Sequence, residues 1–293
     1  MPLHKKGLVI KMTLSACTVT PMTLSLEDKP TMISATTSTS LSLAGKKGLI
    51  VGIANDQSIA YGCARVMRDQ GALLAVTYLN AKAEPFVRPL AVQLEADITM
   101  PLDVEAPGQL ESLFAQIEKR WGKLDFVLHA IAFAPMADLQ GRIVDCSAEG
   151  FARAMDVSCH SLIRMARLAE PLMANGGTLV TMSYYGAQKV IDHYGIMGPV
   201  KAALESVVRY LAAELGPAGI RVHAVSPGPI KTRAASGISH FEELMDEAAS
   251  RAPQQQLVTI ADVGAVTAML CSDAARALTG NVIFVDGGYH VMA

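Results

Sequence analysis

From Ala44 onward the chain repeats one pattern: a short run of aliphatic and β-branched residues, then a stretch with helical spacing. The runs are GLIVG (48 to 52), ALLAVTY (72 to 78), ADITMPL (96 to 102), LDFVLHA (124 to 130), GTLVTMS (177 to 183), IRVHAVS (220 to 226) and NVIFVD (281 to 286). Alternation of this kind predicts linked βαβ units, and therefore a parallel sheet of about seven strands with helices on both faces. Between the first two runs, Ile59, Cys63, Val66 and Met67 fall on one helical face, and Gly71 stands where a helix end takes a left-handed residue. One α/β domain over residues 44–293 accommodates the whole pattern.

The remaining chain bounds the function. Half of the 293 residues are hydrophobic (51%) and the net charge is -2, with no block of Lys or Arg, so nucleic acid is not an expected partner. No apolar run approaches the roughly 18 residues of a membrane span. Five scattered cysteines without a CxxC pair, and seven histidines without ligand spacing, predict reduced thiols, no metal and a cytoplasmic setting. Residues 1–43 are Ser/Thr-rich and lack periodicity, which reads as a disordered or mis-assigned extension, with a targeting signal as the alternative.

After the first run comes GIANDQSIAYG (52 to 62), a strand-turn-helix with glycine at both ends. In a doubly wound sheet such a turn holds a dinucleotide pyrophosphate on backbone N–H groups, with Gly52 allowing close approach, Ser58 as N-cap or phosphate ligand, and Ile59 opening the helix. The spelled-out GxGxxG is absent. LDV (102 to 104) ends the third run, where Asp103 suits an adenine amino group and Val104 the ring; a helix N-cap is the competing role for Asp103. HAIAFAP (129 to 135) ends the fourth and places Ile131 at the cofactor edge. Beyond the second run, YLNAKAEP offers Asn80 and only Lys82 as a base, which favours NADH over NADPH.

The stretch SYYGAQKVIDHYGIMGPVK (183 to 201) holds three tyrosines and ends on Lys201, seven residues after Tyr194. Seven, like four, keeps two side chains on one side of a helix, one turn further apart. Pro199 lies between them, so the helix is expected to begin near Ile196, where the first N–H groups lack internal partners anyway.

Here the sequence resembles the short-chain dehydrogenases/reductases, and within them the bacterial NADH-dependent enoyl-acyl-carrier-protein reductases. The resemblance covers about Leu43 to Gly288 through G-x5-SIAYG, LDV, IAFAP, SYxGA, YxxMGxxK, GPIxT, AASGI, DVG, LCSD and VDGG in order. It implies a Rossmann-type fold and reduction of trans-2-enoyl thioesters on acyl carrier protein, in fatty-acid synthesis. Tyr194 is then assigned to the thioester oxygen, Tyr184 to the acyl pocket or the enolate, and Lys201 to the nicotinamide ribose, its charge favouring ionisation of a nearby phenol. Cofactor contacts are implied at Gly52, Ser58, Ile59, Leu79, Asp103, Val104, Ile131, Ile230, Lys231, Thr232, Arg233 and Ala234, and a substrate contact at Ala134. Residues 234–253 match a flap over substrate, and the helix over 205–216, apolar on more than one side, implies a homotetramer. Departures include Ala132 and Leu79. The competing readings are a carbonyl or 3-oxoacyl reductase, which Gly198 in place of lysine disfavours, and a non-catalytic dinucleotide-binding regulator.

Overall fold

Seven strands form one parallel sheet in the computed structural model, which describes residues 40–233, 235 and 240–292. The strands are β1 (Lys47–Val51), β2 (Leu73–Tyr78), β3 (Ile98–Pro101), β4 (Phe126–His129), β5 (Gly177–Met182), β6 (Ile220–Pro227) and β7 (Val282–Val285), and their spatial order is β3-β2-β1-β4-β5-β6-β7. Each of the seven expected runs supplies one strand. The central ones are buried on both faces, which is why they read as continuous apolar runs rather than alternating ones.

Helices cover both sides: α1 (Ile59–Asp69), α2 (Glu84–Gln93), α3 (Gln109–Trp121), α4 (Met136–Gln140), α5 (Ala148–Met155), α6 (Ser161–Ala169), α7 (Met197–Leu215), α8 (Phe241–Arg251) and α9 (Ile260–Cys271). One core layer joins β1, β4 and β5 to α3, α6 and α7 around Leu113, Ile117, Leu162, Leu204 and Val208. The other joins the sheet to α1 and α9 around Ile50, Met67, Leu74, Leu128 and Val263. There α1 and α9 meet at Gly62 and Gly264; a Cβ on Gly62 would lie 2.5 Å from the Ile260 carbonyl oxygen, so only glycine permits this approach.

Several local expectations can be checked. Gly71 has φ +93 and follows α1. The residue preceding α7 is Ile196, and Pro199 lies in the helix's first turn, where its missing N–H leaves no ladder bond unmade. Asp103 does not cap α3: Gly108 occupies that place, and the Asp103 carboxylate instead accepts from the Glu105 N–H at 3.0 Å, closing a short turn after β3. One residue ahead of the expected domain boundary, Leu43 is fully buried and its N–H bonds the Gln70 carbonyl at 3.0 Å. Residues 1–39 of the expected extension lie outside the described residues. Among the described residues no helix is long and apolar enough to cross a membrane, and Cys63, Cys146, Cys159 and Cys271 are free thiols.

Candidate active site

In a parallel sheet all carboxyl ends share one edge, and a crevice opens where neighbouring crossovers leave in opposite directions. Here that point lies between β1 and β4, paired from Gly48↔Phe126 to Val51↔His129. Gly52, the first residue past β1, has φ +115, and a Cβ there would lie 2.1 Å from the Ala130 carbonyl oxygen. Only glycine lets the turn pass so close to the end of β4.

Ser58 organises that turn. Its hydroxyl accepts the Ala54 and Asn55 N–H groups, both at 3.0 Å, and donates to the Asn55 side chain at 3.1 Å. Ser58 therefore occupies the N-cap position without capping α1, contrary to that part of the expectation: its hydroxyl is spent on folding the loop back. The first N–H groups of α1, beginning at Ile59, point out of the helix end with no intrahelical acceptor. This is a cradle for an anion.

The other expected cofactor residues line the same edge. Leu79 follows β2 and is 53% exposed. Asp103 and buried Val104 follow β3, their backbone fixed by Gln109, which accepts from the Asp103 N–H at 2.8 Å, and by Arg164, which donates to the Val104 carbonyl at 2.8 Å. Ile131 is half-buried after β4, and Ile230 after β6 packs on the core. Lys231 is exposed and reaches Glu242 on α8 at 2.9 Å, while Thr232 accepts from the Ala235 N–H at 3.2 Å. Arg233 is exposed at the end of this loop. Ala234 lies outside the described residues, as do 236–239 of the expected flap; the remainder of the flap is α8 and the turn beyond it.

Beside this edge, Tyr184 and Tyr194 meet edge-on, ring centroids 4.8 Å apart and planes at 60°. Tyr184 leaves the end of β5, and Tyr194 precedes α7. Both pack with Ala154, Ile196, Met197 and Val200, and Ala134 joins the same apolar group. Burial pushes both phenols above the ordinary tyrosine range, with each other's partners adding to it: Tyr289 and Glu247 for Tyr184, Tyr184 and Glu205 for Tyr194. This corrects the expectation that Lys201 would favour an ionised phenol. Desolvation is the largest influence on each, and both hydroxyls remain neutral donors. The Tyr184 hydroxyl is buried without a hydrogen-bond partner among the described residues. Tyr185 serves packing, edge-on to Phe284 and Tyr289.

Lys201 lies in the second turn of α7 and is 6% exposed. Its ammonium donates to the Met182 carbonyl at 2.6 Å, at the very end of β5. Three donors on the ammonium leave two directed elsewhere. Burial lowers its pKa to about 8, with Cys159 and Glu205 opposing that shift. Beneath it, His129 is sealed between Thr181 and Ser161, both at 2.8 Å, and burial lowers its pKa to about 3, so it is a neutral structural link between β4, β5 and α6.

Sequence reasoning missed the supports. Ser158, in a π-helical turn over Asp156–His160, both donates to and accepts from the Phe133 backbone, at 3.1 and 2.9 Å, and so holds the loop carrying Ala134. Glu205, four residues beyond Lys201, accepts from Ser183 at 2.7 Å and from Gln188 at 3.1 Å. Its position one turn after the lysine was the available signal.

A glycine turn at the switch point of a doubly wound sheet, with a tyrosine pair and a buried lysine at the next strand ends, defines a Rossmann-type α/β oxidoreductase. The chain belongs to the enoyl-acyl-carrier-protein reductase family, whose profile, described as enoyl-(acyl carrier protein) reductase, matches residues 52–290. The NADH enoyl-acyl-carrier-protein reductase FabI of Aquifex aeolicus is 47% identical over 251 residues, 85% of this chain and 93% of that one. The crystal structure of the Anaplasma phagocytophilum reductase in complex with NAD superposes with TM-score 0.82 at 45% identity, covering 86% of this chain and 96% of that chain. The Bacillus cereus reductase with NADP+ and an indole naphthyridinone gives TM-score 0.84 at 42% identity, covering 86% and 98%.

Proposed function

We propose that the protein is an NADH-dependent enoyl-acyl-carrier-protein reductase, saturating the trans-2 double bond of enoyl thioesters in fatty-acid synthesis. The observation that carries this reading is the pairing of Tyr194 with Tyr184 outside the first turn of α7, while Lys201 sits in its second turn against β5. A spacing of four would put the acid beside the carbon that takes hydride. The larger spacing suits conjugate reduction, in which negative charge collects on the thioester oxygen, two carbons away.

The cradle fits a dinucleotide: the Gly52 turn and the N-terminus of α1 would hold its pyrophosphate, Asp103 and Val104 its adenine, and Lys201 its nicotinamide ribose hydroxyls. When bound, NADH supplies hydride to C3 of the enoyl group. Tyr194, kept neutral by burial, donates a hydrogen bond to the thioester oxygen as the enolate develops. Tyr184 would lend its unpartnered hydroxyl to the same region, and Ala134, in the same apolar group, would line the acyl pocket. Near β2, Arg88 is tied to Glu84, which leaves Lys82 as the remaining base of that turn among the described residues. That supports NADH over NADPH.

Finer features belong to the same proposal. Helix α8, tied to the cofactor edge through Lys231 and Glu242, acts as a lid. Tyr210 on α7, 71% exposed, with Phe151 on α5 and Ile163 on α6, supports a homotetramer, which light scattering tests. The catalytic unit begins near residue 40 in a cytoplasmic protein; deleting residues 1–39 leaves melting temperature and turnover unchanged, and a large drop in either refutes it.

The deciding experiment follows oxidation of NADH, then NADPH, with a trans-2-enoyl thioester and separately a 3-oxoacyl thioester. Consumption with the enoyl substrate and NADH is the expected result. Consumption only with the 3-oxo substrate makes this a carbonyl reductase, and none with either makes it a binding protein without turnover.

A further inference from the structure

The Tyr184 turn and Lys201 share one buried neighbour, Glu205. Glu205 is 4% exposed, yet it is a carboxylate inside the fold. One oxygen accepts the Ser183 hydroxyl at 2.7 Å and the other the Gln188 amide at 3.1 Å. Ser183 immediately precedes Tyr184, and Gln188 closes the 3-10 turn Tyr185–Ala187, its N–H bonding the Tyr185 carbonyl at 2.9 Å. The carboxylate thus grips both ends of the turn that carries Tyr184. It grips them from α7, one helical turn beyond Lys201.

The geometry points to Glu205 as a positioning residue for this reaction, holding the Tyr184 turn against α7 and setting a buried carboxylate beside the Lys201 ammonium at the end of β5. The inference rests on the reading of Lys201 as the ribose ligand.

The charges facing Lys201 single Glu205 out. From β4 comes His129, which burial keeps neutral. From the π-helical turn comes Cys159, which would favour the ammonium only as a thiolate, and burial raises its pKa above 9.0. Tyr184 and Tyr194 are neutral phenols. The Met182 carbonyl contributes a dipole from β5. Lys201 holds the Met182 carbonyl and Glu205 the hydroxyl of Ser183, the next residue, so the two buried groups meet the end of β5 at adjacent positions, one turn apart on α7; among the described residues, the carboxylate acting on Lys201 is Glu205. A charge in a low-dielectric interior acts more strongly than one in water.

Glu205→Gln separates the two roles. Its amide oxygen accepts from Ser183 as before, and its amide nitrogen donates to Gln188 once that side chain turns over, so the clamp survives and only the charge is lost. The measurements are NADH affinity by fluorescence and kcat/KM, each from pH 6 to 10. In the wild-type protein both fall above pH about 8, as Lys201 loses its proton. With Glu205→Gln that limb moves down by about 0.5–1 pH unit. An unmoved limb in the folded variant overturns the inference and leaves Glu205 a structural clamp.

Should that variant fail to fold, Glu205→Asp carries the test. It keeps the charge and withdraws it from Ser183 and Gln188, so the limb stays within about 0.3 unit of wild type while kcat drops severalfold; a shifted limb or an unaltered kcat overturns the inference. A wild-type protein showing no limb in NADH affinity would instead remove the assignment of Lys201 itself.

Discussion

Tyr184 and Tyr194 stand edge to face, 4.8 Å between ring centroids, although one follows a strand and the other, ten positions later, precedes a helix. The chain between them passes through the Gln188 turn and returns. The contact brings two neutral phenols into one apolar group, where, on the proposed function, a developing enolate would find donors and little competing water.

That arrangement assigns unequal weights to the two tyrosines. Tyr194→Phe should lower turnover of short enoyl thioesters by ~10²–10³-fold, the usual cost of one oxyanion donor, with NADH affinity unchanged. Tyr184→Phe should lower it less and raise KM more. Steady-state kinetics beside NADH titration distinguish them; equal turnover of Tyr194→Phe and wild type would dismiss Tyr194 as the donor.

On the proposed assignment, Lys201 should make cofactor binding pH-dependent. Its pKa, lowered by burial to about 8, means that the ammonium is intact below that pH and is lost as pH rises through it. NADH affinity should therefore decline on the alkaline side. Lys201→Met removes charge-assisted bonds to the ribose, and calorimetry should show binding weakened ~10–100-fold, the equivalent of ~1.5–3 kcal/mol. Native affinity in that variant rules the assignment out.

Gly52 tolerates no side chain. With φ +115 and the Ala130 oxygen 2.1 Å from a hypothetical Cβ, Gly52→Ala combines backbone strain with a displaced turn. The expected loss is at least ~2 kcal/mol of stability, read as a lower melting temperature, together with weakened NADH binding. Native values in both would mean that the turn is softer than its contacts indicate.

Away from the site, Asp97 links β3 to α3. Hydrogen bonds from Arg120, at 3.0 and 2.8 Å, and from Trp121, at 2.8 Å, hold its pKa down to about 2. A depressed carboxyl contributes stability that is present above its unfolded pKa near 4 and lost as pH falls towards 2. Because Arg120 is 59% exposed, Asp97→Asn should cost only about 1 kcal/mol at neutral pH and flatten the acid dependence of melting between pH 4 and 2. An unchanged acid slope in the variant would show that other carboxylates govern it.

Much of this architecture is written locally. The seven β-rich runs, Gly52 ahead of a helical stretch, and Pro199 with Gly198 before Lys201 each carry their own physical consequence, so strand number, the tight turn at Gly52 and the start of α7 follow from short windows of sequence. A Ser at position 58 likewise marks a helix start. Which way its hydroxyl turns does not follow, because Ala54 and Asn55 compete for it with the helix end.

Tertiary structure decided what depends on distant partners. The N-cap role open to Asp103 vanished because the chain makes a short turn at Glu105 and enters α3 only after Gly108. The charge state of the tyrosines was set by burial among Ala154, Ile196 and Val200, which no spacing reveals. Glu205 is an ordinary helical glutamate in the sequence; only packing of α7 against the end of β5 places Ser183 and Gln188 around it. Spacing along one element is a local quantity and is legible in the sequence. Desolvation and hydrogen bonding between elements are sums over the whole fold, and exist only once the chain has closed.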